Sequence, residues 1–286
     1  MTTINILTWN INGLRAKLKK KDEGFMGFFN TYNRSKYDIL CFQEQKCDIK
    51  TLLNADNTLE ELKEYQHIAY TKETAKQGYA GVAIFSKILF DFVQVGMGID
   101  IHDKNGRIIT VKLAGHDIVL INVYVPNSGE GLKNLDYRVN QWNVDFKAHL
   151  QKMHNRFPTC AIILCGDLNA AHKDDDVYDA KRFRNKVAGF HDDERAFITD
   201  LISNDGYVDV YKAAQKAVEQ HEHYTFWSNL GGMRKKNKGW RIDYFLMKQP
   251  KDKDSDTMQW KSIKNLQYVL GSDHCPLALT LTTKTI

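Results

Sequence analysis

No stretch of this 286-residue chain approaches the length of a membrane-spanning helix, and no apolar signal-peptide region precedes its first strand-like run. No membrane role is expected, and the chain reads as intracellular. Cysteine is sparse: five residues, an odd number, with no C-x-x-C pair. That points to a reducing compartment and to no zinc site. Cys41, Cys160 and Cys165 lie in or beside apolar runs, where Cys behaves as a small hydrophobe. With only four prolines and no low-complexity linker, nothing marks a domain boundary, and one domain over 1–286 is expected. No P-loop, dinucleotide fingerprint or serine-triad signature is present. Neither sign of charge dominates: a net charge of +5 permits a polyanionic partner without requiring one.

What is there is a globular composition, 43% apolar and 26% charged. Strand-like runs rich in Val, Ile, Leu, Tyr and Phe fall at 4–9, 38–43, 79–86, 107–113, 117–125, 160–165, 241–247 and 275–281. Helical spacing marks 22–36, 138–153, 193–203 and 207–220. The loose alternation of strands and helices, with some strands following closely through short turns, predicts mixed sheets covered by helices. Each half carries strands ending in polar residues, a hint of two similar halves without a sequence repeat. The charged stretch 172–195 reads as a long loop with little regular structure, and such loops are often functional.

The apolar runs end in, or carry, carboxylates, carboxamides and a histidine. ILTWNING ends in Asn10 and Asn12, DILCFQEQK in Glu44, and AIILCGDLNAAH in Asp167 and Asn169. RIDYFLM carries Asp243, and LGSDHCPLALTL opens with Asp273 and His274. A packed core has no use for so many oxygen ligands at strand ends; a hard divalent cation acting on a phosphate ester does. Each signal also has a plainer reading. Gly-Asp-x-Asn is good turn chemistry, a Glu at a strand end is usually solvated, and Asp273-His274 could be a turn with an exposed His. Asp243 could face a wet side of its sheet as readily as orient His274, and Tyr124 could be a core aromatic. In the functional reading Glu44 is a natural Mg²⁺ ligand. Asp167 then orients or deprotonates a water, Asn169 holds that water or a phosphoryl oxygen, and His274 acts as acid, base or electrophile.

The motifs WNINGLRA (9–16), FQEQK (42–46), GYAGVAIFSK (78–87), NVYVPNSG (122–129), GDLNAAH (166–172), YTFW (224–227), GWRIDYFL (239–246) and LGSDHCP (270–276) resemble, in order, the exonuclease III type of abasic-site (AP) endonuclease. The Asn, Glu, Asp-x-Asn and Asp-His core is shared across the endonuclease/exonuclease/phosphatase superfamily. The YTFW, GWRIDYFL and LGSDHCP wording is similar to its DNA-repair branch. The resemblance implies an α/β fold: a four-layered sandwich of two mixed β-sheets packed face to face, with helices outside and the site at one rim. It implies Mg²⁺, with Mn²⁺ as an alternative, held among Asn10, Glu44, Asp167, Asn169, Asp273 and His274, with Asn12 just outside. It implies catalytic roles for Tyr124, Asp167, Asn169, Asp243 and His274. DNA contacts are implied for Arg15, Lys46, Tyr79, Arg107, Asn127, Leu230 and Lys236, with Leu230 as a wedge. A pocket of Ala188, Phe226, Trp240 and Ile242 would receive a flipped-out baseless sugar.

The implied partner is double-stranded DNA with abasic sites or blocked 3′ ends, and with it a place in a prokaryotic cytoplasm and nucleoid or in a nucleus; no oligomer signature is seen in the sequence, and a monomer is expected. Basic groups 233–241 (Arg234, Lys235, Lys236, Lys238, Arg241) and 181–186 (Lys181, Arg182, Arg184, Lys186) are expected to track phosphates, although any one charge run is usually a solvated loop. Three departures stand out. Asn12 replaces an Asp of some members, which lowers the charge of the metal site. Glu130 replaces an Arg or Gln that enters the DNA, which predicts a looser grip on product. No N-terminal extension is seen, so roles that depend on one are not implied. Two other readings use the same residues. A phosphatase of inositol phosphates, or a sphingomyelinase, would not need the aromatic pair or the basic loop. A silent DNA-binding protein would not need the metal and acid–base set.

Overall fold

Period-two alternation along the strands sets the interior of the molecule and carries the functional residues to one rim of it. The computed structural model describes residues 1–19, 27–28, 36–49, 62–71, 78–214, 223–251 and 258–283. Twelve strands are named among them: β1 (Thr2–Asn10), β2 (Ile39–Gln43), β3 (His67–Tyr70), β4 (Val82–Ser86), β5 (Phe90–Val95), β6 (Ile108–Leu113), β7 (Ile118–Tyr124), β8 (Ala161–Asp167), β9 (Val208–Asp209), β10 (Asp243–Lys248), β11 (Met258–Asn265) and β12 (Leu277–Thr283). They form two six-stranded sheets, ordered β11-β12-β1-β2-β4-β3 and β5-β6-β7-β8-β10-β9.

Each sheet contains one parallel pair, β1 with β2 and β7 with β8, flanked on both sides by antiparallel neighbours. The hint of two similar halves thus has a structural counterpart. It is not a contiguous repeat, because the C-terminal hairpin β11–β12 completes the N-terminal sheet.

The sheets pack face to face. One apolar cluster joins Ile4, Ile6, Cys41, Val82 and Ile84 of the first sheet to Val111, Leu120, Ile163, Cys165 and Phe245 of the second. The opposite faces pack against helices. Leu7, Trp9, Leu40 and Phe42 lie with Leu14 and Phe28. Ile121, Val123, Ile162 and Leu164 meet Phe146, Leu150 and Met153 of the helix Asn143–Arg156 and Phe197, Ile198 and Leu201 of the helix Asp192–Ser203. This is the expected four-layered α/β sandwich.

The eight strand-like runs all contain strands. Strands β3, β5, β9 and β11 went unread because they are short or lie at sheet edges with mixed polarity. The run 138–153 holds a π-helical stretch, Tyr137–Trp142, continued by the α-helix. The expected helix at 207–220 is corrected to a two-residue strand, β9, and a short helix Val210–Ala214, and its remainder lies outside the described residues. Most of 22–36 also lies outside them. The stretch 172–195 is more ordered than a loop: it holds a 3₁₀ turn, Asp174–Asp176, a helix Ala180–Phe183 and the start of the helix at Asp192. All five cysteines are buried and none is in a disulfide. No described helix is long and apolar enough to cross a membrane.

Candidate active site

Residues of one parity face between the sheets, and the last such residue on several strands reaches the same rim. On β1, Ile4 and Ile6 are followed by Thr8 and then Asn10. On β8, Ile163 and Cys165 are followed by Asp167. On β7, Leu120 is followed by Asn122 and Tyr124, and on β10 Asp243 precedes Phe245. Registers fix the rest. Tyr124 lies opposite Asp167 across the parallel pair, and Asp243 opposite Asp167 across the antiparallel one. Beneath this rim a polar layer joins the sheets: Gln43 Nε2 donates to Thr8 Oγ1 at 2.9 Å and to Asn122 Oδ1 at 2.7 Å. Gly166 is required where it stands. At φ +125° a Cβ there would lie 2.1 Å from the Val123 carbonyl oxygen.

Asp167 is almost fully buried. It accepts from Asn10 Nδ2 at 2.9 Å and from the Asn169 backbone N–H at 2.8 Å. The second bond is an Asx turn, with Asn169 at φ +49°. The turn reading of Asp-x-Asn therefore holds, and strand geometry does not continue to Asn169. Burial, reinforced by the charge of Asp243, raises Asp167 to about 7 against the opposing pull of His274. His274 is buried, not an exposed turn residue. Its Nδ1 lies 2.8 Å from Asp243 Oδ2, and its Nε2 lies 3.8 Å from Asp167. Burial alone would depress this imidazole; Asp243, with Asp167 and Asp273, overcomes that and holds it protonated, raised to about 10. Asp243 is thus buried against His274 and does not face a wet side of its sheet.

Glu44 stands at φ +52°, just past β2, and is mostly covered. Its Oε1 accepts from the same Asn10 amide at 2.9 Å, so Asn10 bridges Glu44 and Asp167. Burial raises the Glu44 carboxyl, but Lys46 at 2.7 Å and the Asn10 bond outweigh it and leave it below its ordinary range. Lys46 also donates to Asn12 Oδ1 at 2.6 Å, and Asn12 Nδ2 donates to Asp273 Oδ1 at 3.0 Å. The Tyr124 phenol is held well above its usual value, first by burial and then by the nearby Glu44 carboxylate. Asn127 Nδ2 donates to Asn169 Oδ1 at 2.9 Å.

Beside this cluster opens a cavity of about 650 Å³. Ala188, Phe226, Trp240 and Ile242 all line it, and Asp167, Asn169, Tyr124, Asp273 and His274 form its polar wall. Phe226 packs on His274 at 4.9 Å between ring centroids, and Phe183 and Phe190 brace Trp240. Leu230, 79% exposed, stands at the mouth.

The remaining candidates are spread differently. Arg15, Asn127 and Lys236 are exposed, and Tyr79 is 44% exposed. Arg107 is buried: its guanidinium lies 4.8 Å from the Tyr124 ring centroid and donates to Tyr79 Oη, so it braces Tyr124 from behind. Two members of the basic 233–241 group do not belong to a phosphate-tracking surface. Arg241 is almost fully buried and pairs with Asp176 and Asp209, each at 2.8 Å. Arg234 turns inward onto backbone carbonyls. In the 181–186 group, Arg184 pairs with Asp192.

Sequence reasoning missed Arg138 and Glu194. Arg138, fully buried, donates to the carbonyls of Pro126 and Leu168, next to Asn127 and Asn169. Glu194 accepts from Ser128 Oγ and the Gly189 backbone N–H and so fixes the wall around Ala188. Both sit in helical stretches where a charge ordinarily faces water, so no local signal could find them.

The family model for the Endonuclease/Exonuclease/phosphatase family matches residues 7–274. The chain is 39% identical over 281 residues to the DNA repair nuclease APEX1 of Danio rerio, covering 97% of this chain and 82% of that protein. It is 35% identical over 278 residues to an exodeoxyribonuclease of Bacillus subtilis, covering 97% and 99%. Among solved structures, an AP endonuclease from Leishmania major superimposes with a TM-score of 0.79 at 27% identity, covering 99% of this chain and 88% of that one.

Proposed function

Because the chain belongs to the endonuclease/exonuclease/phosphatase family, as a hydrolytic nuclease of DNA repair, we propose that it is a Mg²⁺-dependent phosphodiesterase that cuts duplex DNA 5′ to an abasic site. The products are a 3′-hydroxyl and a 5′-deoxyribose phosphate. The same site removes 3′ blocking groups and degrades 3′ ends. The observation that carries this reading is the aromatic cavity opening directly on the Asp167–His274–Asp243 cluster. A sugar without its base is small and partly apolar and suits such a pocket. A phosphomonoester or a lipid headgroup gives no reason for Phe226, Trp240 and Leu230.

The donor set suits a hard divalent cation. Four carboxylates (Glu44, Asp167, Asp243, Asp273) gather around two close cations, Lys46 and the His274 imidazolium, and among the described residues Asp243 Oδ1 is buried without a hydrogen-bond partner. Glu44, Asp273 and the Asn10 amide oxygen would hold Mg²⁺, which supplies charge neutralisation at the phosphate. The protein groups do the rest. Asp167, with its pKa brought near neutrality, accepts the proton of the attacking water, and Asn169 orients that water; as the new P–O bond forms the P–O3′ bond breaks, and the departing 3′-oxygen takes a proton from solvent to become the 3′-hydroxyl. His274, held cationic by Asp243, donates from Nε2 to a non-bridging phosphate oxygen, where negative charge builds. Tyr124 and Asn127 donate to the same phosphate. Leu230 enters the minor groove as the sugar turns outward.

The test is cleavage of a labelled duplex carrying one abasic-site analogue, with Mg²⁺ and with EDTA. A single Mg²⁺-dependent cut on the 5′ side is expected. Glu44→Ala and Asp167→Asn should abolish it while circular dichroism and melting stay native. Near-normal cleavage by either variant removes the mechanism. Loss of nucleotides from 3′ ends without an internal cut would make the enzyme a 3′ processor.

A further inference from the structure

Two loops meet at the metal-side edge of the site. One follows YTFW: it carries Leu230 at its tip, turns through Gly231 and Gly232 at φ +67° and +64°, and contains Arg234. The other, 266–272, leads into Asp273 and His274. Arg234 lies between them. Its Nη1 donates to the Ser272 carbonyl at 2.7 Å, and its Nη2 donates to the carbonyls of Val269 at 2.7 Å and Gln267 at 3.0 Å. Its guanidinium lies 4.6 Å from the Trp227 ring centroid. No carboxylate among the described residues forms an ion pair with it, although the charge of Asp273 favours the cation. This half-buried cation is held by three backbone carbonyls and an aromatic face. That arrangement uses the planar fork of Arg and cannot be matched by Lys, a compact point charge.

Shorter links extend the same path. Trp227 N–H donates to the Asp273 carbonyl at 2.9 Å, and Trp227 Nε1 donates to Asn237 Oδ1 at 3.2 Å, which pins the base of the Leu230 loop. The Leu230 tip is thus fastened at its base through Asn237 and in its middle through Arg234. Both fastenings lead to the segment that ends in Asp273 and His274.

We propose that Arg234 is a positioning residue that couples the Leu230 loop to the Asp273–His274 loop, so that engagement of DNA by Leu230 sets the two site residues for reaction. This rests on the DNA reading above, and it reassigns a residue whose place in a basic run suggests a phosphate contact. The two roles give opposite signatures. A phosphate contact would flatten the salt dependence of DNA affinity by about one unit of slope when removed. A positioning residue leaves that slope unchanged and lowers the rate of the bound complex.

The experiment compares the wild-type protein with Arg234→Lys, Arg234→Gln and Leu230→Ala, and with Arg234→Lys and Leu230→Ala together, on an abasic-analogue duplex. Affinity is read against salt in EDTA, and single-turnover rate is read with Mg²⁺. Arg234→Lys, which keeps the charge but not the fork, should lower the rate about tenfold or more with affinity within about twofold. Arg234→Gln, which removes the charge, should lower the rate likewise and leave the salt slope unchanged. Leu230→Ala should slow the wild-type background and add little in Arg234→Lys. A slope reduced by one in Arg234→Gln, a rate within twofold of wild type in either Arg234 variant, or fully multiplicative effects would overturn the proposal. Hydrogen exchange on the wild type keeps it testable if Arg234→Lys does not fold. DNA binding should protect 230–238 and 266–272 together, and protection confined to 230–238 would refute it. If the wild type neither binds nor cuts the duplex, the DNA reading fails by itself. Faster exchange of 266–272 in free Arg234→Lys would then still report the tie, and unchanged exchange would reject it.

Discussion

Asp243→Asn isolates the electrostatic core of the proposed mechanism. Asp243 holds the His274 ring at 2.8 Å, and its charge is the foremost of those that raise the imidazole from 6.5 to about 10 against burial. That rise corresponds to about 5 kcal/mol in favour of the cationic ring. Burial opposes it, so the carboxylates together contribute more than the net figure, and without Asp243 the ring should return to about its ordinary value or below. At pH 7.5 the variant ring is then mostly neutral. Its amide neighbour supplies an N–H to Nδ1, and Nε2 still donates, but as a neutral group. Exchanging a charge-assisted hydrogen bond for a neutral one costs on the order of 1–2 kcal/mol in the transition state, or about 10-fold in kcat.

The variant also acts on the base. Asp243 raises Asp167 and the His274 imidazolium lowers it; the variant loses both charges, whose effects on Asp167 oppose each other, so the alkaline limb of the pH–rate profile checks that a slower reaction is not a missing base. The assay pairs single-turnover cleavage at pH 7.5 with nitrogen-detected titration of the His274 ring. Near-wild-type kcat, or a ring still cationic at pH 8 in Asp243→Asn, would refute the reasoning.

Glu130 is exposed three residues past Asn127, and Glu130→Arg should replace repulsion from product phosphates with attraction; slower release in a burst assay is expected, and unchanged turnover and affinity would count against it. Gly166→Ala forces a Cβ to within 2.1 Å of the Val123 carbonyl oxygen at a positive φ and should cost about 3 kcal/mol or more; a urea midpoint shifted by under about 1 kcal/mol would contradict the packing described. Burial lowers His149 from 6.5 to about 4. As pH falls from 6.5 the unfolded chain binds this proton while the folded chain does not, so stability is intact above 6.5 and is lost toward pH 4. At pH 5 the loss from His149 is about 2 kcal/mol, and a His149→Gln variant that folds should show a correspondingly flatter profile of urea midpoint between pH 7 and 5; an unchanged slope would sink the assignment.

Alternation in the sequence determined much of this protein. A period of two sends every other side chain to the same face, so the pattern in ILTWN or AIILCGD already implies that Asn10 and Asp167 end rows of buried residues. The motif order then implied the fold and the site. Short edge strands such as β3 and β5 stayed hidden because a half-exposed strand carries no clear apolar period. Tertiary structure alone decided which charges face water. Arg241 stands in a run of lysines, yet its partners Asp176 and Asp209 are 65 and 32 residues away in the chain. Arg138, Arg234 and Glu194 bind carbonyls, a hydroxyl and amides that no local pattern announces. A strand's face is set by its own backbone, whereas the cost of burying a charge is set by the groups that surround it, and distant segments bring those groups together only on folding.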